Sequence, residues 1–225
     1  MTDSPKPFHI VFLLFDGITQ LDFTGPAQVL SRIPGAAVHT AAKAVQPIQT
    51  DSGFAILPST DFTACPQADL ICVPGGFGIR DVIQDEASLQ FLRDQAASAR
   101  YVTSVCTGAL ALGVAGLLDG KRATTHWAYT GLLETFGATP EKARVVKDGN
   151  LVTAGGVTSG IDFALTVVAE IAGQQIAESI QLGLEYDPHP PFNSGHPDVA
   201  DPEVLKLLQE RVYIKQVQGL ADIIG

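Results

Sequence analysis

Cys106 stands in the stretch VTSVCTGAL, where a largely apolar run gives way to Thr107-Gly108 and then to a second apolar segment. At a sharp turn from strand to helix, a sulfur is held above the sheet, near unpaired amide hydrogens and the positive end of the helix dipole. Those surroundings favour thiolate and hence nucleophilic chemistry. The competing reading is packing, because free cysteine is among the most buried residue types. Cys65 precedes a proline in a loop and Cys72 lies inside the apolar run LICV, so both read as structural. His126, beside Trp127 in TTHW, reads as a hydrogen-bonded structural histidine rather than a base.

The elements that must position Cys106 follow from periodicity. HIVFLLF, from His9 to Phe15, is the unbroken apolar run of a strand buried on both faces of a parallel sheet. Gly25-Pro26 precedes AQVLSRI, which places Pro26 in the first turn of a helix ending near Pro34-Gly35. AVHTAA, FAILPS, ADLICV, RYVTSV and LVTAGG read as further strands, with ATTHW as a strand end. Leu89, Leu92 and Ala96 recur at helical spacing across Glu86 to Ser98, and TGALALGVAGLL and TSGIDFALTVVAEIAG read as helices, the latter bounded by Gly173. The stretch from Leu184 to Asp198 is proline-rich and reads as an extended loop. PEVLKLLQERV reads as a last amphipathic helix, followed by a tail that carries no signal.

Alternating strands and helices predict a mostly parallel sheet with helices on both faces, in which ligands bind beyond the carboxyl ends of the strands. That rule should gather four turns, LDFTG, PGGFG, CTG and AGGVTSG, into one region. AGGVTSG lacks the spacing of a phosphate-binding or dinucleotide loop, so no nucleotide cofactor is expected.

Composition sets the outer bounds. The 225 residues, 46% hydrophobic and 17% charged, suit a single α/β domain over 1-225, with residues 1–7 expected to be flexible. A formal charge of −10 without a basic run argues against nucleic acid as a partner. No signal-peptide pattern and no stretch near the roughly 18 apolar residues of a membrane span are present, so a cytoplasmic protein is expected. Three irregularly spaced cysteines form neither a disulfide framework nor, with five scattered histidines, a zinc pattern. No metal is expected.

Together VPGGFG, LDFTGP and VTSVCTGALALGVAGLLDGKRATTHW resemble the ThiJ/PfpI, class I glutamine amidotransferase-like superfamily, and within it the isocyanide hydratases. The similarity runs from HIVFLLF through LEYDPHPPFNSG. It implies a flavodoxin-like α/β three-layer sandwich, usually a homodimer, with a cysteine on a nucleophile elbow and an acidic residue from the first strand-to-helix turn. Those positions are Cys106 and Asp22. Taken alone, Asp22 could simply cap the helix that follows; the resemblance favours acid and base work. Other branches of the superfamily place a histidine directly after the cysteine, and Thr107 stands there instead.

The activity implied is a cofactor-independent hydro-lyase that hydrates an organic isocyanide to an N-substituted formamide. Cys106 and Asp22 would repel as two anions and so share one proton. Sulfur would attack the isocyanide carbon while Asp22 protonates it, giving a covalent thioimidate that water then opens. Thr107 would hydrogen-bond the pair or the substrate nitrogen, and the amides of Gly75, Gly76 and Thr107 would stabilise developing charge. Two other classes stay open. One is a non-enzymatic ligand-sensing domain related to AraC-type regulators, for whose DNA-binding module little chain follows the loop. The other is a redox- or glyoxal-handling relative.

Overall fold

The computed structural model describes residues 6–225. Of the expected flexible segment 1–7, residues 1–5 lie outside the described residues, and Lys6 and Pro7 are exposed coil. The chain runs β1 (Phe8–Leu13), α1 (Gln20–Leu30), β2 (Ala36–Ala42), β3 (Thr60–Asp61), β4 (Leu70–Val73) and α2 (Glu86–Ala96). It continues through β5 (Tyr101–Val105), α3 (Gly108–Val114), β6 (Val145–Asp148), β7 (Leu151–Ala154), α4 (Ser159–Ala172) and α5 (Gln174–Gly183). It closes with α6 (Pro202–Leu208) and α7 (Ile214–Ile224).

The seven strands form one sheet in the order β6-β7-β5-β4-β1-β2-β3, parallel throughout except for the β6/β7 pair. β1 pairs with β2 from Phe8↔Ala36 to Leu13↔Ala41, and with β4 from Ile10↔Leu70 to Phe12↔Cys72. Central strands need apolar residues on both faces, and β1 and β4 supply them: Ile10 to Leu13 and Leu70 to Val73 are fully buried. Helices α1 and α4 pack on each other on one face, and α2 and α3 pack together on the other, which makes the expected three-layer sandwich. Strand order reverses at β1, so the crevice between the carboxyl ends of β1 and β4 is the topological switch point where this architecture places ligands.

Three local expectations need correction. Pro26 is not in the first turn: α1 starts at Gln20 after Thr19, and Pro26 lies in its interior. The proline removes the amide that would bond back to Asp22, and its ring fills the contact with α4, against Gly160. Packing fixes the earlier start, since Phe23 meets Phe12 edge to face at 5.1 Å. FAILPS gives only the two-residue strand Ala55–Ile56, paired antiparallel with Ile48–Gln49. The supposedly silent tail is helical: α6 passes through a wide π turn, Gln209–Tyr213, into α7, whose Val217, Leu220 and Ile224 pack on the core.

Candidate active site

Cys106 joins β5 to α3 with φ +56, a left-handed backbone rarely adopted by residues other than glycine. Such strain persists only where neighbours over-determine it. Here the Cys106 amide donates to the carbonyls of Ala154 at 3.0 Å and Gly155 at 2.7 Å, and the Thr125 hydroxyl donates to the Cys106 carbonyl at 2.7 Å. The AGG turn after β7 and the TTH segment thus clamp the elbow. Gly108 completes it, because a Cβ there would stand 1.9 Å from the Val73 carbonyl oxygen.

Asp22 comes from the first turn of α1 and is fully buried. Its Oδ2 accepts the Gly75 amide at 2.9 Å, while Oδ1 has no hydrogen-bond partner among the described residues. Burial pushes this carboxyl up from the ordinary 3.8 to about 7, against the pull of the Gly75 amide and the neighbouring Cys106 thiol. The Asp22 carboxyl and the Cys106 thiol lie near enough in the interior for each to perturb the other.

Burial works against the expected thiolate. Burial, reinforced by the Asp22 carboxylate, holds the Cys106 thiol well above the usual thiol range, and the Thr107 amide and hydroxyl offset this only in part. The reason is magnitude. A helix terminus contributes about 0.3–1 kcal/mol, up to ~2 when partly buried, whereas burying an anion costs several kcal/mol.

Gly75 and Gly76 lie beside the pair, but their amides are already engaged. Gly75 holds Asp22, and Gly76 donates to the Thr107 hydroxyl oxygen at 3.0 Å. Both amides are thus taken up by Asp22 and Thr107 and are not the free donors expected. A Cβ on residue 75 would stand 2.6 Å from both the amide and the hydroxyl of Thr107, which is why glycine is needed there.

Cys106 lines a cavity of about 190 Å³ walled by Phe77, His126, Tyr129, Val157 and Tyr213, with Thr19 and Asp51 at its polar side. Larger hollows of about 520, 480 and 370 Å³ are not lined by Cys106, so the smaller one is the candidate site; Asp22 lies behind Cys106 and lines none of them. His126 caps the turn that follows it, its Nδ1 accepting the Ala128 amide at 3.3 Å, and burial pushes it down to about 4, so the ring is neutral. Its structural reading fits, yet its ring is also a wall of the site. Among the described residues, no three His, Cys, Asp or Glu side chains gather as a metal ion would need.

Sequence reading missed Tyr129, Phe77 and Tyr213. For Tyr213 a signal existed, since Tyr213, Val217, Leu220 and Ile224 recur at helical spacing through the tail. Cys72, by contrast, is a sealed core thiol that burial pushes up to about 12, and Cys65 is raised to about 11 by partial burial.

An isonitrile hydratase of Pseudomonas putida is 55% identical over 203 residues, 90% of this chain and 89% of the relative. A crystal structure of a ThiJ/PfpI family protein from Pseudomonas syringae matches with a TM-score of 0.90 at 41% identity, covering 98% of this chain and 94% of that one. The transcriptional regulator GbdR of Pseudomonas aeruginosa, of the helix-turn-helix type, is 29% identical over 190 residues, 81% of this chain but 52% of the regulator. The DJ-1/PfpI family profile spans residues 8–170, a range that includes Asp22, Gly75, Gly76 and Cys106, and the chain belongs to the DJ-1/PfpI family.

Proposed function

We propose that the protein is a hydro-lyase that adds water to an organic isocyanide and releases the N-substituted formamide, with Cys106 as nucleophile and Asp22 as the acid and base. The observation that carries this reading is the buried carboxyl with one unpartnered oxygen beside a cysteine that lines a cavity. Near-complete alignment with a relative named isonitrile hydratase supports it.

An isocyanide carbon accepts both a nucleophile and a proton, and the pair can supply both. With Asp22 as carboxylate, the thiol hydrogen passes to Asp22 and on to the terminal carbon as sulfur bonds to that carbon. The S–H bond breaks, the C–S and C–H bonds form, and a thioimidate results. Asp22, again a carboxylate, draws a proton from water whose oxygen adds to the same carbon, and that proton goes to nitrogen. Collapse breaks the C–S bond, the hydroxyl hydrogen returns to sulfur, and the formamide leaves. The Gly75 amide holds Asp22 throughout, and the Gly76 amide holds the Thr107 hydroxyl next to Cys106. No cofactor enters these steps.

The test is to incubate pure protein with n-butyl isocyanide in the presence of a chelator and follow N-butylformamide by NMR. A parallel incubation with methylglyoxal, followed for lactate, tests the glyoxal-handling class. Formamide at a rate above the protein-free control is the expected result; its absence would overturn the reading. The similarity to the regulator keeps ligand sensing as the second reading, distinguished by binding without turnover. We further propose a cytoplasmic homodimer. The three free cysteines support the reducing setting, and no helix of the described residues is long and apolar enough to cross a membrane.

A further inference from the structure

Hydration of a thioimidate moves electron density onto nitrogen as water adds to carbon, so a hydrogen-bond donor at nitrogen lowers the barrier. The polar groups around the cavity leave few candidates. Thr19 donates its hydroxyl hydrogen to Asp51 at 2.6 Å, and the Gly76 amide is taken by Thr107. The Thr107 hydroxyl faces the Gly76 carbonyl at 3.3 Å, and the Thr107 amide is directed at the Cys106 sulfur. Since Nδ1 of the neutral His126 ring accepts the Ala128 amide, its one hydrogen sits on Nε2, 3.4 Å from the Tyr213 oxygen. Tyr213 is therefore the acceptor in that contact, and its own O–H is turned elsewhere.

What the wall still offers is two phenols. Tyr129 and Tyr213 both line the cavity, with rings packed edge to face at 6.0 Å. Both share that cavity with Cys106, and burial keeps both protonated. We propose that the hydroxyls of Tyr129 and Tyr213 are catalytic hydrogen-bond donors to the substrate nitrogen, polarising the thioimidate while water adds at its carbon. They donate hydrogen bonds and keep their protons, so the proton balance of the reaction is unchanged. Tyr213 arrives on the π turn between α6 and α7, which makes the C-terminal helices part of the active site.

This assignment rests on the isocyanide reading. If the unaltered protein releases no formamide, that reading fails by itself; if it does, the tyrosines are tested separately. Tyr129→Phe, Tyr213→Phe and the double variant keep the rings and remove the donors. With n-butyl isocyanide, each single variant is expected to lose at least about tenfold in kcat with KM little changed. The double variant should accumulate the mass of protein plus one isocyanide, because adduct formation continues while its hydrolysis slows. Wild-type kcat in the double variant would overturn the proposal. A fall in kcat without that adduct in the intact mass would overturn it as well.

Discussion

At the scale of single residues, the site is governed by the cost of burying charge. Asp22 and Cys106 are each pushed toward their neutral forms, so the protein stores protons where the proposed chemistry consumes and returns them. Cys106→Ser replaces the thiol by a hydroxyl that is far harder to ionise, and formamide production should fall to background; a near-normal rate would reject covalent catalysis here. Asp22 links catalysis and stability to pH. Its folded value of about 7 lies above the ordinary 3.8, so between these values the folded protein holds a proton that the unfolded chain has released. Stability from this group is full at low pH and is lost as pH rises through about 7. Asp22→Asn should thus gain stability over the wild type between about pH 4.5 and 8, on the order of a few kcal/mol, in paired denaturant titrations. In the wild type, kcat/KM should rise through about pH 7 as the carboxylate forms.

At the scale of elements, chemistry depends on how closely backbone segments approach. The left-handed Cys106 costs on the order of 1–3 kcal/mol, and the clamp from Ala154, Gly155 and Thr125 holds it. The start of α3 comes so near the end of β4 that no side chain fits at Gly108. Gly108→Ala is expected to destabilise by about 3 kcal/mol or more and to abolish turnover. Gly131→Ala is the contrast: it lies in the helical turns Trp127–Phe136 with nothing within 4 Å of an added Cβ. That change should be neutral or mildly stabilising, by up to about 1 kcal/mol in thermal melts.

At the scale of the whole molecule, the sheet brings together turns far apart in the chain. Asp22, Gly75 and Cys106 follow β1, β4 and β5, three adjacent strands whose carboxyl ends meet at the switch point. The C-terminal third also carries exposed apolar side chains, with Leu182 at 82%, Phe192 at 79% and Ile214 at 58% exposure. Large apolar side chains left in water favour association where they are covered by a second copy. We expect light scattering to give twice the mass of the chain, and a mass of one chain at micromolar concentration would reject the homodimer.

Much of this was legible in the residues. Unbroken apolar runs announce central parallel strands, alternation with helices announces the layers, and CTG after such a run announces the elbow, because these patterns express local burial and turn chemistry. What the sequence could not carry was the balance of long-range terms. Whether Cys106 rests as thiolate or thiol depends on how much water the other segments exclude from it. The start of α1 depends on Phe23 finding Phe12. Tyr213 depends on the C-terminal helices folding back over the elbow, which local spacing suggests as helix but does not aim. Sequence by itself determined the central strands and singled out Cys106 at its turn; tertiary structure alone decided the burial of Cys106 and Asp22 and the walls around them, since desolvation and packing arise only between segments distant in the chain.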